Sequence, residues 1–223
     1  MTSLISWSGG KDSCLALWRS QQSGMIVLDL LTALDETGLK TRSHGVSKEL
    51  IVSQAEQLGL RSNFIAASWK DYESSFTDAL IQFKNLGMSH AIFGDIDLVA
   101  HKEWEEQVCM KAGLSAFLPL WNKNRLDLVQ EFLDLGFKAR VVCVDDRYLN
   151  AGFVGQEFDK YFIEHLPLGV DACGENGEFH TFVYDGPNFK KPVNWVSKGL
   201  HTYVSPVEYG QQTYYFDLLD IAI

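Results

Sequence analysis

Nothing in this sequence provides for a membrane, a disulfide framework or a broadly basic surface. No stretch approaches the roughly 18 apolar residues that a membrane-spanning helix needs. The start, Met1-Thr2-Ser3-Leu4-Ile5-Ser6-Trp7, has neither the basic opening nor the apolar run of a secretory leader. Cysteine is scarce and scattered: Cys14, Cys109, Cys143 and Cys173 form no C-x-x-C pair. That spacing fits neither a zinc site nor a disulfide scaffold and suits a reducing compartment. Basic residues are outnumbered, 19 Lys and Arg against 29 Asp and Glu, for a net charge of −10. A general nucleic-acid binder carries the opposite balance on at least one face, although a local basic patch stays compatible with these numbers. Repeats and low-complexity tracts are lacking too. These absences predict a soluble, cytoplasmic protein with no membrane association. At 223 residues and 46% hydrophobic, the chain suffices for one large domain or two small ones with buried cores.

What is present is a regular alternation. Strand-like runs at Leu4–Trp7, Ile26–Ala33, Asn63–Ala67, Ala91–Phe93 and Ala116–Phe117 alternate with helix-like runs at Ser13–Ser23, Lys48–Leu58, Tyr72–Leu86 and Lys102–Ala112. Gly24, Gly59, Gly87 and Gly113 follow those helices, where a left-handed residue closes the last turn. This is the pattern of a parallel, Rossmann-like α/β sheet. The rhythm changes near Pro119. A helix over Asn124–Leu135 and a buried strand over Ala139–Val144 precede a loop at Asp145–Gly155, in which Asp145-Asp146-Arg147 reads as a solvated turn. Residues 169–186 are rich in Gly, Asp and Glu, and the tail reads as β structure at Leu200–Val204 and Thr213–Leu218. We place a boundary at residue 122, giving a first part over 1–122 and a second over 123–223. The second part is either a small α+β domain or an extension packed on the first sheet.

The sharpest feature is Ser8-Gly9-Gly10-Lys11-Asp12-Ser13, directly after the first strand and before a helix. Paired glycines let backbone approach an anion, and a helix N-terminus supplies free N–H groups to phosphate oxygens. Lys11, expected to be exposed on the loop, adds a point charge, and Ser8 and Ser13 add hydroxyls. Asp12 repels phosphate unless a metal lies between, so it reads as a Mg²⁺ partner. The motif is not Walker A, because Asp12 follows the lysine. The alternative is a plain β-to-helix turn capped by Asp12 or Ser13. This hexamer resembles the PP-loop ATP pyrophosphatases. That resemblance implies an adenine nucleotide alpha hydrolase-like fold and cleavage of ATP at the α-phosphate, with an adenylate and pyrophosphate as first products.

A second dense patch runs Cys173-Gly174-Glu175-Asn176-Gly177-Glu178-Phe179-His180-Thr181-Phe182, then Asp185-Gly186-Pro187 and Phe189-Lys190-Lys191. Glu175, Glu178 and His180 on a glycine-rich loop have the chemistry to orient an amine and take its proton. A hairpin turn with solvated acids is the other reading of the same residues. Together with Gly94-Asp95-Ile96 and Pro119-Leu120-Trp121, this patch and the first hexamer resemble the diphthine–ammonia ligase family in order and across nearly the whole chain. The resemblance implies ATP activation of a carboxylate and displacement of AMP by ammonia. In that family the carboxylate belongs to diphthine, a modified histidine of elongation factor 2. The chain departs from the family's Tyr-Gln-Arg stretch at Asp97–Trp104. It also has Glu-Asn-Gly-Glu-Phe-His where family members carry Glu-Gly-Gly-Glu-Tyr-Glu. These departures fall on the acceptor side and suggest a bacterial-type relative.

The remaining candidates follow from position. Asp95 ends a strand at the edge where open α/β sheets bind ligands; it reads as a nucleotide-site residue and a second Mg²⁺ partner, with helix capping as the alternative. His44 matches a histidine of the family near the second strand and is assigned to the nucleotide site. His101 is either a site residue or a helix-surface residue. Cys14 reads as packed, and Cys173 has no base beside it in sequence. The reading is a C–N bond-forming ligase that uses ATP, Mg²⁺ and an amine donor, ammonia. Its acceptor would be a modified residue on a translation factor or a small molecule, and a homo-oligomer is compatible with the sequence. A tRNA-modifying enzyme and a non-catalytic ATP or AMP sensor are the alternatives.

Overall fold

The computed structural model describes residues 1–207 and 210–222. Its first half follows from the alternation of apolar runs. Strand β1 (Thr2–Ser6) is followed by helix α1 (Lys11–Gln22), β2 (Ile26–Leu34), α2 (Lys48–Leu58), β3 (Arg61–Ala66), α3 (Tyr72–Asn85), β4 (His90–Ile92), α4 (Val99–Ala112) and β5 (Ser115–Phe117). All pairings are parallel, in the order β3-β2-β1-β4-β5. β1 is central and fully buried at Leu4 and Ile5, as expected of a strand covered by helices on both faces. Strand order reverses across β1 and β4, which puts a crevice at their C-terminal ends. The four helix-closing glycines have the expected positive φ.

The second half is built on a different principle. Helix α5 (Arg125–Asp134) is capped by Asn124, whose side chain accepts from the N–H groups of Leu126 and Asp127. Strands β6 (Lys138–Asp145), β7 (Phe179–Asp185), β8 (Trp195–Val204) and β9 (Thr213–Ile221) form an antiparallel sheet in the order β7-β6-β9-β8. A short 3₁₀ turn (Ala151–Phe153) and helix α6 (Lys160–Glu164) lie between β6 and β7.

Two apolar clusters organise the molecule. One packs Phe76, Leu80 and Val108 of α3 and α4 under Leu4 and Leu31 of the parallel sheet. The other runs from Ile5 and Leu30, on the opposite face, through α1 and α2 to Val141, Phe182 and Leu219 of the antiparallel sheet. The second sheet is therefore held by the same core as α1 and α2. Among the described residues, no helix is long and apolar enough to cross a membrane.

Several boundaries shift from the sequence expectation. α1 begins at Lys11, inside the hexamer, with Gly10 as its N-cap, and α4 begins at Val99. The glycine-rich patch ends at Glu178, because Phe179–Asp185 is strand β7. Its aromatic and β-branched content already favoured a strand, masked by the glycines and acids before it. Asp145 is no solvated turn residue: it is 1% exposed and accepts from the backbone and side-chain N–H groups of Arg147.

One glycine shows how closely the halves of the second layer approach. A Cβ at Gly186 would come within 2.2 Å of the Phe137 ring, which is buried and stacked on Phe132 at 4.8 Å. Gly186→Ala should lower stability by about 1–3 kcal/mol, the usual cost of overpacking, read as a lower urea midpoint. An unchanged midpoint would mean that the ring moves aside freely.

Candidate active site

The Ser8–Ser13 loop leaves β1 at the crevice and is held by residues of α2 and β7. Trp7 Nε1 donates to Gln54 Oε1 at 2.9 Å, and Gln54 Nε2 donates to the carbonyls of Gly9 (3.0 Å) and Val183 (2.5 Å). Val183 N–H in turn donates to the Gly9 carbonyl at 2.9 Å, and Lys11 N–H donates to Thr181 Oγ1 at 3.0 Å. The loop is thus clamped between α2 and β7. Its glycines follow from that clamp. Gly9 has φ +81°, and a Cβ there would lie 2.8 Å from Gln54 Oε1; one at Gly10 would lie 2.5 Å from His44 Cε1. Ser13 Oγ donates to the Gly10 carbonyl at 2.9 Å and stands 3.3 Å from Ser8 Oγ.

Lys11 is not the exposed loop residue that the sequence suggested, being only 6% exposed. Its Nζ lies 2.7 Å from Asp12 Oδ2. Burial opposes its charge, but Asp12 and Glu175 outweigh that and hold the ammonium above its ordinary range. Burial also pushes the Asp12 carboxyl up, against the pull of Lys11. Glu175 is pushed up to about 7, by burial first and then by Asp12. The Cys173 thiol is pushed up to about 12 by burial, so it is no thiolate nucleophile at neutral pH.

A cavity of about 900 Å³ opens above the loop. It brings together Lys11, Asp12, His44, Asp95, Glu175 and His180, along with Ser8 and Ser13. Gly9 and Gly10 form the backbone beneath it rather than its wall. Glu178 requires a correction. It is 1% exposed and accepts from Asp171 N–H (3.2 Å), Asn176 N–H (3.0 Å) and Asn176 Nδ2 (2.8 Å). It staples the loop from inside, and Glu175 is the acid that faces the cavity.

The two histidines come from different segments. His44 Nδ1 donates to the Thr181 carbonyl at 2.8 Å, and its ring stands 4.6 Å from that of His180. Burial lowers His44 to about 4 and His180 well below its ordinary value, so both are neutral at pH 7. Asp95 pairs with His101 Nδ1 at 2.7 Å. Although burial opposes it, bonding to His101 and Glu105 keeps Asp95 below the usual carboxylate range. Glu105 is 3% exposed and pushed up to about 11 by burial and by Asp95. It is a neutral acid that sequence reading missed, since nothing distinguishes it from its solvated neighbours on α4. Gly94 was also undervalued: a Cβ there would lie 3.0 Å from the Asp12 backbone, so the segment after β4 packs against the first turn of α1.

This arrangement gathers a helix N-terminus, a buried cation, two neutral imidazoles and an acid poised near neutrality around one cavity. Among the described residues, no three His, Cys, Asp or Glu side chains group as a metal cage. Asp12 and Asp95 nonetheless face one cavity beside the anion site. That donor set fits an ion held by one or two carboxylates, water and phosphate oxygens.

Comparison with known proteins gives a consistent family. Residues 1–116 match the diphthamide synthase N-terminal domain, and residues 124–204 match the diphthamide synthase C-terminal domain. The diphthine–ammonia ligase of Mus musculus is 35% identical over 95 residues, covering 40% of this chain and 35% of its own length. The human one is 34% identical over the same span, again 35% of its length. That of Danio rerio is 25% identical over 222 residues, 83% of each chain. A crystal structure of a predicted tRNA methyltransferase subunit from Methanocaldococcus jannaschii superposes with a TM-score of 0.46 at 18% identity, over 64% of this chain and 80% of that one. The likeness is too loose to bear on function. The chain belongs to the diphthamide synthase family.

The buried histidines generate a pH prediction. The folded chain protonates His44 only near pH 4, whereas an unfolded one does so near 6.5. His44 therefore costs stability progressively as pH falls through that window. In an NMR titration its ring signals should stay unmoved from pH 8 to 5. A midpoint near 6.5 would contradict the buried, neutral assignment.

Proposed function

We propose that this member of the diphthamide synthase family is an ATP-dependent ligase that joins an amine to a carboxylate through an adenylate. The observation that carries this reading is the shared cavity. It is lined by Ser8, Lys11 and Ser13 of the loop together with Glu175 and His180 of the C-terminal half. At about 900 Å³ it lies near the top of the roughly 300–1,000 Å³ range of small-molecule sites, large enough for a nucleotide beside a second substrate.

The chemistry divides into two displacements. In the first, a carboxylate oxygen of the acceptor attacks the α-phosphorus of ATP. The new O–P bond forms as the bond to the β-phosphate oxygen breaks, and pyrophosphate leaves. The α1 N-terminus and the Ser8 and Ser13 hydroxyls receive phosphate oxygens, and Lys11 stabilises the charge growing on pyrophosphate. Asp12 and Asp95 would hold Mg²⁺, which when bound neutralises polyphosphate charge. In the second displacement, ammonia attacks the activated acyl carbon and AMP leaves with the transferred oxygen. Glu175, near neutrality, takes the proton that the amine gives up. His44 and His180, held neutral, hydrogen-bond to the reactants without competing with Lys11 for their charge. The relatives' name, diphthine–ammonia ligase, supports diphthine as the acceptor of this chain, with small carboxylates as the alternative.

The test is product analysis with the full chain, ATP, Mg²⁺, ammonium and either a diphthine-bearing translation factor or a panel of small carboxylates. AMP and pyrophosphate are expected; ADP and phosphate would overturn the reading. Lys11→Met, which keeps the buried stem, should lower pyrophosphate release by about 10²-fold or more, the scale of losing a preorganised charge, with circular dichroism unchanged. Glu175→Gln should keep acceptor-dependent pyrophosphate–ATP exchange while lowering amide formation at least about tenfold. Loss of both together would move Glu175 into nucleotide binding.

A further inference from the structure

One cation outside the two displacements joins their walls. Arg125, the first residue of α5, donates from Nε and Nη2 to Asp97 Oδ2 (2.7 Å) and Oδ1 (2.6 Å), and from Nη1 to Asp171 Oδ2 (2.5 Å). Asp97 belongs to the β4–α4 connection that carries Asp95. Asp171 opens the segment that carries Glu175, and its carboxylate accepts the N–H groups of Cys173 (3.0 Å) and Glu175 (3.2 Å). Cys173 Sγ donates back to the Arg125 carbonyl at 3.4 Å. The Arg125 side chain is 26% exposed and that of Asp171 14%. Exposed single pairs contribute little, but a planar fork shared by two carboxylates fixes geometry as well as charge.

We propose that Arg125 is a positioning residue that sets the gap between the Asp95 wall and the Glu175 wall of the cavity. A guanidinium has edges for both carboxylates at once; the point charge of a lysine serves one at a time. Without it, Asp97 and Asp171 are left as neighbouring like charges and the two segments part. The Ser8–Ser13 loop is held by Gln54 and β7 instead, so Arg125 acts on the relation between the walls and not on the anion site. The kinetic part of this inference rests on the ligase reading; the geometric part does not.

The experiment uses the full chain and Arg125→Ala, with and without added free guanidinium. Amide exchange is followed by mass spectrometry over residues 94–98 and 171–178. Exchange should quicken at least about tenfold in both segments through local opening and slow again with guanidinium, while Arg125→Lys restores it only in part. Pyrophosphate release at saturating ATP should fall about tenfold or more, with KM for ATP within about threefold of the parent, the signature of misplacement rather than lost nucleotide binding. Unchanged exchange in both segments overturns the proposal, as does a loss confined to KM. If the parent chain releases no pyrophosphate with any acceptor, the ligase reading falls and the exchange result alone decides this one. Should Arg125→Ala not fold, Asp171→Asn carries the test, loosening the Glu175 segment alone.

Discussion

The hydrogen bond from Val183 N–H to the Gly9 carbonyl, 2.9 Å long, is the constraint on which this molecule turns. It ties the edge strand of the antiparallel sheet to the Ser8–Ser13 loop that follows the central strand of the parallel one. Gln54 doubles the tie by donating to Gly9 and Val183 together. Gln54 is fully buried, and its amide is worth most where no water can replace a lost partner. A side chain at Gly9 would meet Gln54 and Ile51 of α2, and one at Gly10 would meet His44 and the Thr181 carbonyl of β7, so these two positions are glycine. Because β7 carries His180 and follows Glu175, the same docking brings both residues to the cavity beside the Ser8–Ser13 loop.

The electrostatics follow from that enclosure. Lys11, Asp12 and Glu175 are buried beside one another, so each shifts the protonation of the others. The ammonium is held charged, Asp12 is its direct partner, and Glu175 is left near neutrality. In the same cavity, Glu105 remains protonated while Asp95 stays ionised. One carboxylate of each neighbouring pair thus yields its charge, as close like charges require. Two neutral histidines complete the site, beside the Lys11 ammonium and the Arg42 guanidinium that also lines the cavity.

Much of this was legible in the sequence, and the rest was hidden for physical reasons. The parallel sheet announced itself through apolar runs separated by helix-closing glycines, and the Ser8–Ser13 hexamer named the loop. Asp95, His44, Glu175 and His180 all reach the cavity. What the sequence did not separate was Glu175 from Glu178: both are acids on one glycine-rich turn, and only the fold reveals which one accepts the loop's own N–H groups. Lys11 looked exposed because a loop usually is, and the roof that buries it lies in residues far along the chain. Gln54 gave no signal, being one polar residue in an amphipathic helix. β7 was hidden by the acids and glycines that precede it.

The central claim is that an acceptor carboxylate oxygen attacks the α-phosphorus. Turnover with an acceptor labelled with ¹⁸O in its carboxylate, followed by mass spectrometry of the nucleotide product, tests it most directly. One labelled oxygen should appear in AMP for each amide formed. Label appearing in inorganic phosphate, or AMP formed without any label while amide accumulates, would contradict the adenylate and the role assigned to this cavity.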